Sequence, residues 1–245
     1  MKDNFSQQSG EYAKYRPGYP SALFEFIVQR VRNKEMAWDC ATGNGQAAKS
    51  LAGYFAHVEA TDISAKQLEQ AVLAPNISYS VQPSEKTHFP ENHFDLVTVA
   101  QALHWLSFDA FFEEVKRVSK PGALFAAWMY DLPAVSRDVD EIIKVFYSET
   151  LHGCWDTERK HVDSHYKDIP WPFEEIICPL FHTETEMTIE SFTGYIGTWS
   201  AVAHFTEKNN YNPIEALFAA LRPYWITPLM AVRFPLYLRM GKVLK

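Results

Sequence analysis

Apolar residues recur along the chain in two periods, and the pattern switches repeatedly between them. Leu23, Phe24, Ile27, Val28 and Val31 follow the 3.6-residue spacing of a helix entered behind Pro20 and Ser21. Met36 to Cys40 then reads as a short buried strand, followed by Gly43-Asn44-Gly45 and a helix of small and apolar residues to about Phe55. Val58 to Thr61, ending at Asp62, reads as a second strand. Ser64 with Gln67 three positions later forms a capping box, in which each side chain answers a backbone N–H at the helix start. Ile77 to Val81 fits a third strand, and after the polar loop PSEKTHFPENH the run Phe94 to Val99 is apolar enough to be buried on both faces. Phe108, Phe111, Phe112, Val115 and Val118 predict an amphipathic helix stopped by Lys120-Pro121-Gly122, with a fifth strand from Ala123 to Trp128 behind it.

Alternating strands and helices over residues 36–128 call for right-handed crossovers, hence a parallel sheet with helices on both faces. Ligands in such sheets bind at the carboxyl ends of the strands. Residues 131–175 carry a helix with Val139, Ile142, Ile143 and Phe146 on one face, then the aromatic stretch CWDTERKHVDSHYKDIPWPF, which reads as an insertion over the site. Beyond it the pattern predicts a strand over Ile176 to Leu180, one helix over Ile189 to Ala203, and a helix start at Asn212-Pro213. Phe234, Leu236, Leu238 and Met240 alternate as a last strand, with Pro235 at its beginning where no ladder donor is needed.

With 245 residues, 47% of them hydrophobic, the chain is long enough for one large α/β domain and its core. The balance of 23 basic against 30 acidic residues gives a net charge of −7, and no Lys/Arg-rich run exists. A nucleic-acid partner and a stable membrane association are therefore not expected. Cys40, Cys154 and Cys178 are odd in number and widely spaced, which suggests neither a disulfide framework nor a zinc knuckle. The absence of an apolar leader-like segment or an eighteen-residue apolar run leads to the expectation of a cytoplasmic protein.

The chemistry concentrates after the first strand. In Asp39-Cys40-Ala41-Thr42-Gly43-Asn44-Gly45 an acid at a strand end precedes two glycines that let the backbone turn and let a ligand approach it. Asp62 stands 17 residues after Gly45, at the end of the second strand, where a carboxylate can accept hydrogen bonds from both hydroxyls of a ribose. The alternative is a tight turn and a helix cap with no ligand. Gly43-Asn44-Gly45-Gln46-Ala47-Ala48 also fits the G-x-G-x-x-G/A form of a nicotinamide site. Asp39 disfavours that reading, because a carboxylate there attracts an ammonium or sulfonium and repels a pyrophosphate.

Asp39 through Gly45 resembles the D-x-[GA]-x-G-x-G loop of class I S-adenosylmethionine-dependent methyltransferases, and the segments around Ser84-Glu85 and FFEEVKRVSKPGALFAAW are similar to theirs. AQALHW at Ala100 to Trp105, together with YAKYRPGYP and FPLYLRMGKV, resembles the small-molecule branch that includes trans-aconitate-type carboxyl methyltransferases. The resemblance covers nearly the whole chain. It implies a Rossmann-like seven-stranded sheet, mostly parallel with an antiparallel last strand and helices on both faces. Residues 1–35 would form an N-terminal lid and helix, 36–130 the cofactor-binding core, 131–230 the acceptor pocket and 231–245 the last strand, all in one domain.

The cofactor implied is S-adenosylmethionine, held by Tyr12, Asp39, Ala41, Thr42, Gly43, Gly45, Asp62, Ile63, Ser84, Glu85, Gln101 and Ala102. Ala41 replaces the usual first glycine, which is tolerated if its φ is negative. Pro83 stands where many relatives have an acid that bonds the adenine amine, leaving backbone groups near Ser84 and Glu85 to recognise the base. The expected reaction is methyl transfer to a small molecule by a monomer or homodimer, with a carboxylate acceptor first and an amine, lipid or polyketide next. A nicotinamide oxidoreductase and a non-catalytic binding module of the same fold are the rivals.

A carboxylate acceptor is already a nucleophile, whereas an amine, hydroxyl or carbon acid needs a base, for which His104 is the nearest candidate. His104 could equally bond a structural partner. Arg16 could bind cofactor or substrate carboxylate through its planar fork. Trp105, Trp199, Arg233 and Arg239 are candidates for the acceptor pocket, Arg239 by strand alternation. His161 and His165 would share a face if their stretch were helical, but no third ligand is spaced to complete a metal site, and none is expected.

Overall fold

The computed structural model describes residues 17–245; Tyr12 and Arg16 lie outside them. A helix α1 (Ser21–Val28) leads into β1 (Met36–Cys40), α2 (Gln46–Ala52), β2 (His57–Asp62), α3 (Ala65–Leu68) and β3 (Ile77–Val81). Then come β4 (Phe94–Ala100), α4 (Phe108–Val118) and β5 (Ser119–Tyr130). β1, β2, β3, β4 and β5 pair in parallel in the order β3-β2-β1-β4-β5. The fold is the Rossmann-like sheet expected of the alternation.

Period-two alternation sorts the sheet's side chains into two layers. Leu124, Ala126, Trp128 and Tyr130 of β5 enter the core formed with Leu23, Phe24 and Ile27 of α1 and Leu51 of α2. Phe125, Ala127 and Met129 face the opposite side, against Phe111, Phe112 and Val115 of α4. Both faces of a central strand are thus buried, which is why β4 and β5 are mostly apolar and why the polar residues of β4 are partnered, Thr98 with Asp39 and Asp95 with Lys120. Ser64 caps α3 by accepting from Gln67 N at 3.4 Å, one half of the expected capping box; Ser64 N is taken by Asp62 Oδ1 at 2.8 Å, in the place expected for the Gln67 side chain.

The second half of the chain departs from the pattern in several places. After α5 (Arg137–Val145) and α6 (Arg159–Asp163), two short strands replace the one predicted over Ile176 to Leu180: β6 (Glu174–Ile176) and β7 (Phe181–Met187). Both pair antiparallel with β8 (Met230–Lys242), β6 along its end and β7 along its beginning, so eight strands occupy seven positions. Residues 177–180 are the loop between them, with Ile177 95% exposed.

β8 begins before Phe234, and Pro235 is an interior residue rather than a first one. It is tolerated because Asp131 N donates to Pro235 O at 2.9 Å from beyond the end of β5. The donor that Pro235 lacks would fall on that same side, where the ladder has stopped. The helix predicted over Ile189 to Ala203 is two, α7 (Ile189–Gly197) and α8 (Ser200–Asn209), broken where Thr198 Oγ1 bonds back to Tyr195 O at 2.7 Å and Trp199 turns extended. α9 (Ile214–Leu221) follows behind Pro213. Among the described residues no helix is long and apolar enough to cross a membrane.

Candidate cofactor and acceptor sites

The loop after β1 winds through three left-handed residues: Ala41 at φ +53°, Gly43 at φ +58° and Gly45 at φ +80°. The condition set for Ala41 is therefore not met, and an alanine holds the backbone that a glycine would hold without strain. Such a residue costs roughly 1–2 kcal/mol for its Cβ. Thr42 N donates to Thr61 O at 2.9 Å, which ties the loop to β2. A Cβ at Gly43 would find its nearest atom, Gln67 Oε1, at 3.9 Å, so a ligand has room above it. At Gly45 a Cβ would overlap the Tyr79 phenol oxygen and lie 3.0 Å from its Cζ.

Asp39 lies under this loop, fully buried. Thr42 Oγ1 donates to its Oδ2 at 2.5 Å and Thr98 Oγ1 to its Oδ1 at 2.8 Å. Burial pushes its carboxyl up to about 6, against the pull of the Thr42, Thr98 and Ala48 hydrogen bonds. Asp62 is 7% exposed and holds the loop from the other side, Oδ2 accepting from Gly43 N at 2.9 Å and Oδ1 from Ser64 N at 2.8 Å. Its carboxylate therefore shapes the loop and caps a turn as well as standing at the strand end where a ribose would arrive. Each oxygen keeps further lone-pair capacity for a hydroxyl.

Ile63 follows with 38% of its surface exposed, an apolar face beside the acid. Ser84 is buried and partners the Cys40 thiol, which burial keeps protonated. Glu85 Oε1 accepts from Ser107 N at 3.3 Å and ties this loop to the start of α4. An open left-handed loop, a buried anion under it and an acid followed by an exposed apolar side chain fit an adenosine carrying an amino-acid chain with an ammonium.

At the end of β4, Gln101 adopts φ +60°, its N–H bonded to Trp128 O at 2.8 Å. Ala102 O accepts from Trp105 N at 3.0 Å in the turn that presents His104 and Trp105. His104 Nδ1 lies 3.0 Å from Tyr166 Oη, and its ring 4.7 Å from that of Trp105. Gln101, His104 and Trp105 line a cavity whose far walls are Trp155, Tyr195 and Trp199. The Trp155 and Trp199 rings stand 5.7 Å apart.

Arg159, which sequence reasoning passed over, lines the same cavity. Its Nε donates to Tyr147 Oη at 2.7 Å and lies 3.3 Å from Asp163 Oδ1, while its guanidinium carbon sits 4.7 Å from the Trp155 ring centre. Tyr147 stays a neutral phenol, its pKa raised by burial, and donates in turn to Asp163 Oδ1 at 2.5 Å. Both Nη groups of Arg159 are without a protein partner among the described residues. No periodicity marks residues 151–158, and the arginine's place depends on Tyr147, twelve residues upstream.

The other arginines lie elsewhere. Arg239 does project from the face opposite Leu238 and Met240, but the segment after α6 covers that face: Arg239 Nη1 donates to Tyr166 O and, at 2.8 Å, to Ile169 O, and its Nε to Glu175 at 3.1 Å. It fastens that segment to β8 and is not among the residues lining the cavity. Arg233 pairs with Glu184 at 3.2 Å on the surface. His161 meets Asp168 at 2.8 Å, whereas His165, past the end of α6, meets Asp131 at 3.0 Å and stacks on Tyr237, so they share no face. Among the described residues no cluster of three His, Cys, Asp or Glu could hold a metal ion.

A family profile described as a methyltransferase domain matches residues 38–127, from within β1 through most of β5. A Dictyostelium discoideum protein described as a methyltransferase is 32% identical, with the match covering 98% of this chain and 95% of that one. The chain belongs to the S-adenosylmethionine-dependent methyltransferase family. A solved structure described as a type II methyltransferase from Anaeromyxobacter dehalogenans superposes with a TM-score of 0.88 at 38% identity, covering 94% of this chain and 99% of that one. An S-adenosylmethionine-dependent methyltransferase of Saccharomyces cerevisiae is 27% identical over 60% of this chain and 53% of its own. This methyltransferase therefore uses S-adenosylmethionine, and the nicotinamide alternative falls away.

Proposed function

We propose that this methyltransferase transfers a methyl group to a small-molecule carboxylate, as its resemblance to trans-aconitate-type enzymes implies, with residues 36–130 binding the cofactor and 131–230 furnishing most of the acceptor pocket. The observation that carries the reading is Arg159, whose Nη groups have no protein partner among the described residues and whose side chain lines an aromatic-walled cavity reaching the end of β4. A guanidinium fork matches a carboxylate with two parallel hydrogen bonds. Stacking on Trp155 and the bond to Tyr147 hold that fork in place before any ligand arrives.

S-adenosylmethionine supplies, when bound, an electrophilic methyl on a sulfonium. The chain's task is then to hold the acceptor oxygen in line and keep water out, which can supply roughly 7–11 kcal/mol of the barrier. Asp39 would attract the cofactor's ammonium, Asp62 would accept from its ribose, and Gly43 leaves space for its backbone approach. Trp105 and Trp199 would wall the acceptor. A carboxylate needs no base, and His104, engaged with Tyr166, is given the part of orienting the 103–105 turn.

A second reading has an amine acceptor. It draws on Asp156, whose Oδ2 is buried in the cavity wall without a hydrogen-bond partner among the described residues and 3.9 Å from His204 Nδ1. The test is calorimetric titration with S-adenosylhomocysteine, then transfer of labelled methyl from S-adenosylmethionine to a panel of small carboxylates beginning with trans-aconitate. A base-labile methyl ester is the expected product. An N-methyl product would install the amine reading, and no S-adenosylhomocysteine binding by the folded protein would overturn both.

A further inference from the structure

The residue at the end of β4 combines two features that ordinary packing does not ask for. Gln101 is a non-glycine residue in the left-handed region, at φ +60°. Its side-chain amide is also half satisfied: Oε1 accepts from Tyr130 N at 3.2 Å, while Nε2 is buried with no hydrogen-bond partner among the described residues. The amide cannot be turned over to repair this, because Tyr130 N–H is a donor and only the oxygen can face it. Nearly all buried donors in folded proteins are paired, so an unpaired one whose orientation is fixed calls for an explanation.

Gln101 borders the same cavity as Arg159. The side chains that hold the cofactor side are satisfied, Asp39 by the Thr42 and Thr98 hydroxyls and Asp62 by the Gly43 and Ser64 N–H groups. Gln101, at the end of β4, instead keeps an unspent donor at Nε2, and it lines the cavity together with Trp155, Tyr195 and Trp199. Resting on the carboxylate reading above, we propose that Gln101 Nε2 is an acceptor-binding donor rather than a cofactor ligand. It bonds an oxygen of the acceptor carboxylate and, with Arg159, selects for an anionic oxygen-bearing acceptor.

Two variants separate this from a structural role. Gln101→Glu keeps the oxygen that accepts from Tyr130 N and replaces the donor with an acceptor of like charge to the substrate. Gln101→Met keeps the volume and removes both polar atoms. S-adenosylhomocysteine affinity and carboxylate binding to the S-adenosylhomocysteine-loaded protein are measured by calorimetry, with trans-aconitate, citrate and succinate as probes and thermal melting as the folding control.

We expect S-adenosylhomocysteine affinity in Gln101→Met to stay within about threefold of the parent, while carboxylate affinity falls about tenfold or more in Gln101→Met and further in Gln101→Glu. A tenfold loss of S-adenosylhomocysteine affinity in Gln101→Met would make Gln101 a cofactor ligand and overturn the assignment. Unchanged carboxylate binding in whichever variant folds would overturn it as well. If the parent itself binds none of these carboxylates while still binding S-adenosylhomocysteine, the carboxylate reading fails first and takes this assignment with it. If the parent binds them and the variants do too, only the assignment fails.

Discussion

Asp39 links cofactor binding to pH in a way that can be worked out before any measurement. Burial holds its carboxyl at about 6, above the ordinary 3.8. For stability the sign is the reverse of a salt-bridged carboxylate. Because the folded value is the higher one, the contribution is fully present below 3.8 and is lost as pH rises toward 6, leaving a cost of about 3 kcal/mol at neutral pH. A ligand ammonium would favour the charged form and return the value toward 3.8. Affinity for S-adenosylhomocysteine should then be flat from pH 8 to pH 7 and weaken below 6, by about tenfold at pH 5, or about 1.4 kcal/mol. Titration calorimetry at pH 5, 6, 7 and 8 reads this directly. Repeating the pH 5 titration in two buffers of different ionisation enthalpy should show about 0.8 proton released per ligand bound. The ligand's own ammonium and carboxylate titrate outside this window, so the slope belongs to the protein. Asp39→Asn should flatten it and weaken binding at pH 8. A parent Kd that varies less than twofold from pH 5 to 8, or a slope that survives in Asp39→Asn, would refute the reasoning.

Three further outcomes follow from the loop and the cavity. Ala41→Gly relieves a left-handed alanine at the expense of a freer unfolded chain, for a net gain of up to about 1 kcal/mol in urea unfolding; a loss would mean that the methyl packs usefully. Gly45→Ala places a methyl against the Tyr79 phenol at φ +80° and should cost about 2–3 kcal/mol. Adding Tyr79→Ala should recover the steric part of that loss and leave the backbone part, as a double-mutant cycle measures. His104→Ala should leave the pH dependence of kcat unchanged if the acceptor is a carboxylate, while lowering stability by about 1 kcal/mol through loss of its hydrogen bond with Tyr166. Loss of an ionisation from the kcat profile would restore His104 as a base.

Legibility from sequence divides along the line between the two halves of the site. β1 and β3 occupy the residues the apolar runs predict, and the cofactor side is legible because its parts are near one another in the chain. Asp39, Gly43 and Gly45 sit in one loop, and Asp62 is bonded to that loop across adjacent strands. β7 escaped notice for a chemical reason: Phe181, Thr183, Thr185 and Met187 do alternate with His182, Glu184 and Glu186, but on an outer strand few of them need be apolar. The break between α7 and α8 was hidden because its cause is a threonine hydroxyl returning to its own backbone, which leaves no mark on the apolar period.

The acceptor side resists for a different reason, and Arg159 and Arg239 show it as a pair. Strand alternation correctly put Arg239 opposite Leu238 and Met240, yet what a face meets is decided by the segment that covers it, here residues 166–169. Those residues take up its guanidinium with their carbonyls, so the arginine that periodicity selects is spent on folding. Arg159 has the opposite history. It lies on a five-residue helix whose short span gives no useful period, and its direction is set by Tyr147 and Trp155. Only its Nε is used in that setting, which leaves two amino groups in the cavity wall. An arginine whose donors are consumed by carbonyls holds a fold together, whereas one oriented through a single nitrogen and an aromatic face keeps its fork for a ligand. On that reasoning Arg159→Met should raise the KM for a carboxylate acceptor at least tenfold with S-adenosylhomocysteine affinity unchanged, and Arg239→Met should instead lower the melting temperature. The reverse pattern, melting lowered by the first and KM raised by the second, would return Arg239 to the pocket and remove Arg159 from it.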